Sequence, residues 1–247
     1  MDDFLILPLV SYLHSLSGEV LSIISFVIGV TIMLGMFRIF GLVGLYVYSS
    51  AATITANIQV LKLMNFASMT EPVALGTAVF STIFLCNDII TEHFGEKAAK
   101  KNIWLSFVTQ ILVTITMVIA IGFEPLSDDK AHDAISYLFL PAPRLLIASL
   151  VAFVISQLFN IHIFQALSKF YKEKMLWLRS NIALMVSEFA DNIIFSALAW
   201  VILSPNPVST TTLIYTYILG TYILRVLFAL FSTPVIYWSY YFKPKDA

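Results

Sequence analysis

S-E-F-A-D-N-I-I-F, Ser187–Phe195, sits inside the apolar run Ile182–Leu203. A helix that crosses a bilayer needs roughly 20 mainly apolar residues, and this run is long enough. It carries two carboxylates, Glu188 and Asp191, near its middle. Their spacing of three puts both on one helical face. A charge at bilayer depth costs about 2.5–3.5 kcal/mol on insertion scales and usually faces a bundle interior or a wet cavity. A second stretch, S-Q-L-F-N-I-H-I-F at Ser156–Phe164, echoes the first. Both have Ser, then an amide or acid, then Asn or Asp, then Ile-Phe at matching offsets. The pair reads as two walls of one polar site within a membrane bundle.

Composition agrees. Of 247 residues, 59% are hydrophobic and 12% charged, and the mean hydropathy is +0.88. A soluble domain carries about 25% charge, so an all-α integral membrane protein is expected. The lone cysteine, Cys86, excludes an intramolecular disulfide framework and reads as a small apolar helix residue. Met1–Ser17 has Asp2 and Asp3 where a signal peptide has a basic start, and Pro8 interrupts its apolar run. It reads as an interfacial lead-in.

Seven apolar runs are expected to span: Val20–Phe37, Ile39–Lys62, Pro72–Thr91, Ile103–Phe123, Leu145–Leu167, Ile182–Leu203 and Leu213–Tyr241. The long loop Glu124–Pro143 holds a short helical stretch at Ala134–Leu140. Period-2 strand patterns are absent, which argues against a β-barrel. Basic loops alternate with non-basic ones. Arg38, then Lys97, Lys100 and Lys101, then Lys169, Lys172, Lys174 and Arg179, then Lys243 and Lys245 fall on one side. The positive-inside rule puts the N-terminus outside and the C-terminus in the cytoplasm. This is a multi-pass protein of the plasma membrane, the inner membrane in a bacterium. Trp104, Trp200 and the aromatics from Tyr237 to Tyr241 suit interfacial belts.

The spans carry further polar residues. Thr53 and Asn57 share a face of the second, beside small residues that suit close packing. Asp88 and Glu92 share a face of the third; Glu92 lies near the cytoplasmic edge, paired with Lys97 or solvated. Gly95 suits the turn out of that helix. Gln157 and Asn160 lie three apart in the fifth, with His162 off their face as a structural histidine. Arg144, at the outer start of that span, caps the cavity or snorkels to headgroups. Arg225 falls midway along the last span and demands a carboxylate partner, Asp191 or Asp88. That pair either serves a ligand or only locks the bundle. Pro234 is expected to kink the last span, with the hydroxyls of Ser232 and Thr233 satisfying freed backbone groups.

Enzyme signatures are missing: no H-E-x-x-H, no G-x-S-x-G, no Gly-rich phosphate loop. Four scattered histidines do not suggest a metal site, and no cofactor is expected. The basic loops fit topology rather than nucleic-acid binding.

Five stretches together resemble the queuosine precursor transporter family of the vitamin-uptake-transporter group. They are A-N-I-Q-V-L-K at Ala56–Lys62, N-D-I-I-T-E-H-F-G-E-K-A-A-K-K at Asn87–Lys101, R-L-L-I-A-S-L-V-A-F-V-I-S-Q-L-F-N at Arg144–Asn160, the opening stretch, and R-V-L-F-A-L-F-S-T-P at Arg225–Pro234. The resemblance implies a six-helix bundle similar to the substrate-binding subunits of energy-coupling-factor vitamin transporters. Residues 39–243 would be that bundle, 1–38 a lead-in with one extra transmembrane helix, and 244–247 a cytoplasmic tail. It also implies uptake of queuine or a related deazaguanine, by a lone carrier, a homodimer or a subunit with an energising ATPase module. Against the family pattern, Asn160 replaces Asp, Glu188 replaces Gln, and Arg225 replaces a common Lys.

On that reading the substrate-binding residues are Asn57, Asp88, Gln157, Asn160, Glu188, Asp191 and Arg225, with Glu92 and Arg144 as gate or coupling groups. A deazaguanine presents adjacent N–H and NH₂ donors on one edge. A carboxylate accepts only, so Asp191, Glu188 or Asp88 matches that edge, while the amides read the carbonyl and ring nitrogen. Phe159 or Phe189 would stack on the ring or face lipid. Glu188 would meet a cationic amine or carry a proton. Two other classes stay open: a binding subunit for a different vitamin, and an assembly protein whose polar residues only lock helices.

Overall fold

The computed structural model describes residues 3–64, 66, 73–126, 128–140 and 143–244. Helices dominate the described residues. In chain order they are α1 (Asp3–His14), α2 (Gly18–Gln59), α3 (Thr77–Phe94), α4 (Glu96–Ile121), α5 (Lys130–Phe139), α6 (Pro143–Phe170), α7 (Leu176–Ala197), the single turn α8 (Thr210–Thr212) and α9 (Thr221–Phe242). Two π-helical segments, Leu198–Ile202 and Leu213–Gly220, extend α7 and precede α9. One antiparallel pair of two-residue strands joins Leu63 to Ala74 and Met64 to Val73. Among the described residues, five helices are long and apolar enough to cross a membrane: α2, α4, α6, α7 with its π extension, and the run from Thr210 to Phe242.

α2 holds two of the expected runs. Arg38, expected between them, lies inside helix; the break comes at Gly41, whose φ of 59° and ψ of −137° favour glycine. The chain folds back there. A side chain on Gly44 would sit 2.1 Å from the Met36 carbonyl oxygen, and the Tyr48 hydroxyl lies 3.0 Å from where Gly29 would carry a Cβ. Glycines at the turn let the two halves of α2 pack against one another.

α3 is the axis of the bundle. It packs against α2, α4, α6, α7 and α9, and Ser81–Thr91 is buried without a break. A helix enclosed by other helices has no lipid-facing stripe to keep apolar, so α3 tolerates Asn87, Asp88 and Thr91. α4 lies at the periphery with Trp104, Val108, Leu112, Ile115 and Ile119 exposed, as a lipid-facing helix requires.

Gly95 makes the turn between α3 and α4 with φ 83°, as the sequence led us to expect. α5 begins earlier than its apolar stretch, because the Asp129 carboxylate accepts from the amides of Ala131 and His132 and caps the helix. α9 runs on through Pro234. The Ser232 hydroxyl donates to the Phe228 carbonyl, while Thr233 Oγ1 accepts from Asn181.

Arg38, Lys101 and Lys243 gather at one end of the bundle, whereas Lys62 and Lys130 belong to the connections at the other. Arg38 donates to the Lys243 carbonyl, Lys101 sits 6.0 Å from the Tyr46 ring and Lys243 sits 5.9 Å from the Phe94 ring. The described parts of the connections, 60–64, 73–76, 122–126 and 203–209, fall at the other ends of these helices in chain order.

Candidate functional site

A cavity of about 360 Å³ opens in the half of the bundle away from the basic end. Its polar lining includes Ser149, Asp191, Asn192, Ser196, Thr221 and Arg225, and its aromatic lining is Phe80, Phe195, Trp200 and Tyr217. Asp191 and Arg225 form an ion pair, Nη1 to Oδ2 at 2.8 Å. The partner demanded by a mid-span arginine is therefore Asp191, not Asp88. The hydroxyl of Ser156 donates to the other Asp191 oxygen at 3.0 Å. The two echoing stretches thus touch, first residue of one to fifth residue of the other, across the α6–α7 contact.

The π-helical segments shape the opposite wall. Asn192 donates to the Ile218 carbonyl and to Thr221 Oγ1, both at 2.7 Å, tying α7 to the segment before α9. Trp200 and Tyr217 stack there with ring centroids 4.8 Å apart. Phe159 is exposed on the outside of the bundle, and Phe189 packs on Tyr222 at 4.9 Å; neither lines the cavity. Trp200 belongs to the cavity wall rather than to an interfacial belt alone.

The remaining expected residues lie in other polar layers. Asn57 accepts a hydrogen bond from the cavity-lining Ser149 and donates to the Thr53 carbonyl at 2.9 Å and Gln110 at 3.4 Å. Gln157 accepts from Asn87 at 2.7 Å, and Asn87 in turn accepts from Asn102 at 3.2 Å. Asn102 also donates to Ser49, which bonds Ser106. Asp88 is fully buried; one oxygen accepts from Asn160 at 2.6 Å, the other from Ser180 at 2.7 Å. Glu188 is 1% exposed. Asp88, Gln157, Asn160 and Glu188 do not line the 360 Å³ cavity. The side chain of Arg144 lies outside the described residues.

At the basic end Glu92 is bound by Arg179 rather than by Lys97. Two contacts of 3.2 Å join the guanidinium to both carboxylate oxygens in a fork-to-fork ion pair, one of them a hydrogen bond. The Tyr240 hydroxyl donates to Glu92 at 2.6 Å. Arg179 also reaches Ser168 at 2.6 Å and the Glu173 carbonyl at 3.1 Å, and lies 5.2 Å from the Phe164 ring. At 1% exposure it is no loop charge.

Sequence reasoning missed Asn87, Asn102, Gln110, Ser149, Ser180 and Arg179. Asn87 and Asn102 had a signal, an amide beside Asp88 and one at the edge of an apolar run. His162 bonds the Leu158 carbonyl of its own helix at 2.7 Å, a structural role.

With that geometry in hand, the comparisons with known proteins decide the family. Residues 74–239 match the family model described as "Putative vitamin uptake transporter". The chain belongs to this family. It is 32% identical over 216 residues to the "Probable queuosine precursor transporter" of Bacillus subtilis (strain 168), covering 87% of this chain and 91% of that one. A protein of the same name from Haemophilus influenzae (strain ATCC 51907 / DSM 11121 / KW20 / Rd) is 27% identical over 125 residues, 51% of each chain. No solved structure matches. This vitamin uptake transporter family member is a multi-pass membrane transporter for a small molecule, and its relatives are transporters rather than enzymes.

Proposed function

We propose that the chain imports a queuosine precursor, queuine or a related deazaguanine, and that the substrate binds in the 360 Å³ cavity with its hydrogen-bonding edge on Asp191. The carrying observation is the pairing of an acceptor-only carboxylate with an aromatic wall in one pocket. Asp191 supplies the acceptor for adjacent N–H and NH₂ donors. Arg225, which lines the cavity and engages Asp191 through Nη1, supplies a donor for the carbonyl. The Trp200–Tyr217 stack supplies a flat apolar face for the ring. The volume lies in the range of small-molecule pockets, about 300–1,000 Å³. Asn57 acts through Ser149, and Asp88, Gln157 and Asn160 form a supporting layer.

The basic end is the cytoplasmic end, by the positive-inside rule, so the cavity faces outward. Glu92, Arg179 and Tyr240 are the inner gate, closed in this state, and Arg144 stands at the outer start of α6. The chain acts as a carrier. Co-purification of an ATPase would instead make it the binding subunit of a larger machine.

Uptake of radiolabelled queuine into proteoliposomes tests the reading. The wild type accumulates label that excess unlabelled queuine displaces; Asp191→Asn does not. Equal uptake by both would remove Asp191 from the site, and no displaceable uptake by the wild type would refute the substrate.

A further inference from the structure

We propose that Glu188 is a proton-carrying site separate from the substrate cavity, and that import is coupled to proton entry through it. The coupling rests on the transport reading above; the proton site itself does not.

Glu188 is buried and does not line the cavity; its Oε2 meets no donor in full hydrogen-bond geometry among the described residues, and the Ser81 hydroxyl lies within interacting reach. Buried polar atoms without a partner among the described residues also occur on α3 (Ser81 Oγ), α6 (Gln157 Nε2 and Asn160 Oδ1), α7 (Ser187 Oγ) and α9 (Arg225 Nε). Ser81 sits beside Glu188. The charged and titratable groups facing Glu188 are Arg225 and Tyr222 from α9, Asp191 on its own helix and Asp88 from α3. Among the described residues α6 presents only amides and hydroxyls to this layer.

The charges do not balance. Four carboxylates, Asp88, Glu92, Glu188 and Asp191, share two guanidiniums, and Arg179 is committed to Glu92. Arg225 engages Asp191 through Nη1 at 2.8 Å. Asp88 is satisfied by two donors, Asn160 and Ser180. Glu188 has no comparable set, and a buried unpaired carboxylate is the most costly member of such a cluster. A proton removes that cost.

The neighbouring group suits both states. A serine hydroxyl donates or accepts as required, whereas a carboxylate only accepts. Ser81 is positioned to donate to ionised Glu188 and to accept from the protonated acid. The proton comes from water in the cavity, where Asp191 lies one helical turn from Glu188, and leaves to water at the basic end. One proton is taken up and one released, and nothing is oxidised or reduced. Arg225 links the two sites, because it pairs with Asp191 and also faces Glu188. A substrate carbonyl that draws the guanidinium into the cavity takes positive charge away from Glu188. Loading and protonation then favour each other, a reciprocity that linkage requires.

The test uses the full chain in proteoliposomes. Infrared difference spectra between acidic and alkaline buffer, without any substrate, are expected to show the C=O band of a protonated buried carboxyl that is lost in Glu188→Gln. Where that variant fails to fold, Glu188→Asp keeps the acid and shifts the band. A band unchanged in both variants overturns the site. A one-unit pH gradient, inside alkaline, is worth about tenfold in accumulation. It should stimulate queuine uptake by the wild type, and the ratio of uptake with and without the gradient should fall to one in Glu188→Gln. Stimulation by a sodium gradient instead assigns the cluster to a metal cation and overturns the proposal. If the wild type transports no queuine, the substrate reading fails, while the infrared result still decides the proton site.

Discussion

Two buried arginines hold this bundle, and they differ in what they leave available. Arg179, at the basic end, has both terminal nitrogens engaged: both Glu92 oxygens, the Ser168 hydroxyl, the Glu173 carbonyl and the face of Phe164 surround it, while its Nε, like that of Arg225, has no partner among the described residues. Arg225, in the other half, makes one ion pair beside a cavity. A guanidinium with both terminal nitrogens engaged closes a structure. One with donors to spare beside a cavity can trade its partner for a ligand. On the proposed reading, one residue type in two buried settings would serve as a seal or as a receptor, depending on how many acceptors surround it.

Substitutions that separate seal from receptor test this contrast. The largest effect is expected for Arg225→Met, which strands Asp191 beside the cavity. Losing one partner of a buried pair costs about 3–5 kcal/mol, so the melting temperature should fall sharply and ligand binding should disappear. Adding Asp191→Asn to that variant should recover most of the stability and none of the binding; recovered binding would mean the pair only locks helices. Arg179→Gln comes next. Glu92 keeps Tyr240 and some solvent contact, so the cost should be about 1.5–3 kcal/mol, the worth of hydrogen bonds to a charged group. Hydrogen exchange should rise across residues 171–181 while cavity binding stays within a few fold. Loss of binding in that variant would erase the distinction between the arginines.

Trp200→Leu should leave the melting temperature nearly unchanged and weaken ligand binding by about 1–3 kcal/mol, the usual worth of an aromatic stacked on a base, read by titration calorimetry. His162→Ala should do least, within about 0.5 kcal/mol in stability, because His162 is exposed and bonds only its own helix. A larger loss would show that the α6 face carrying it does more than meet lipid.

The same contrast marks where the sequence was legible. Arg225 announced its need for a carboxylate because a lone guanidinium in mid-span is costly, and the structure supplies Asp191. The echo between Ser156–Phe164 and Ser187–Phe195 was legible as similarity, and the two stretches meet through Ser156 and Asp191. Arg179 was not legible. It stands among loop lysines, and only the fold turns it inward onto Glu92. The third expected run, Pro72–Thr91, is not among the five helices that are long and apolar enough to cross a membrane; α3 keeps its polar residues because five helices enclose it, which is a tertiary fact. The cavity aromatics were hidden for a different reason. Trp200 lies near a span end, where belts are common, and the π-helical turns that aim it and Tyr217 inward leave no periodic mark in the sequence. The reversal at Gly41 was also missed, since Arg38 looked like a loop residue and helix continues past it.

The central claim is that Asp191 and Arg225 receive a deazaguanine base in the outer cavity. Titration calorimetry of the purified wild type and of Asp191→Asn with queuine tests it most directly. The account predicts saturable one-site binding to the wild type, and binding at least about tenfold weaker in the variant, the loss of a charge-assisted hydrogen bond. Equal affinity in both proteins, or no saturable binding to the wild type, would contradict it.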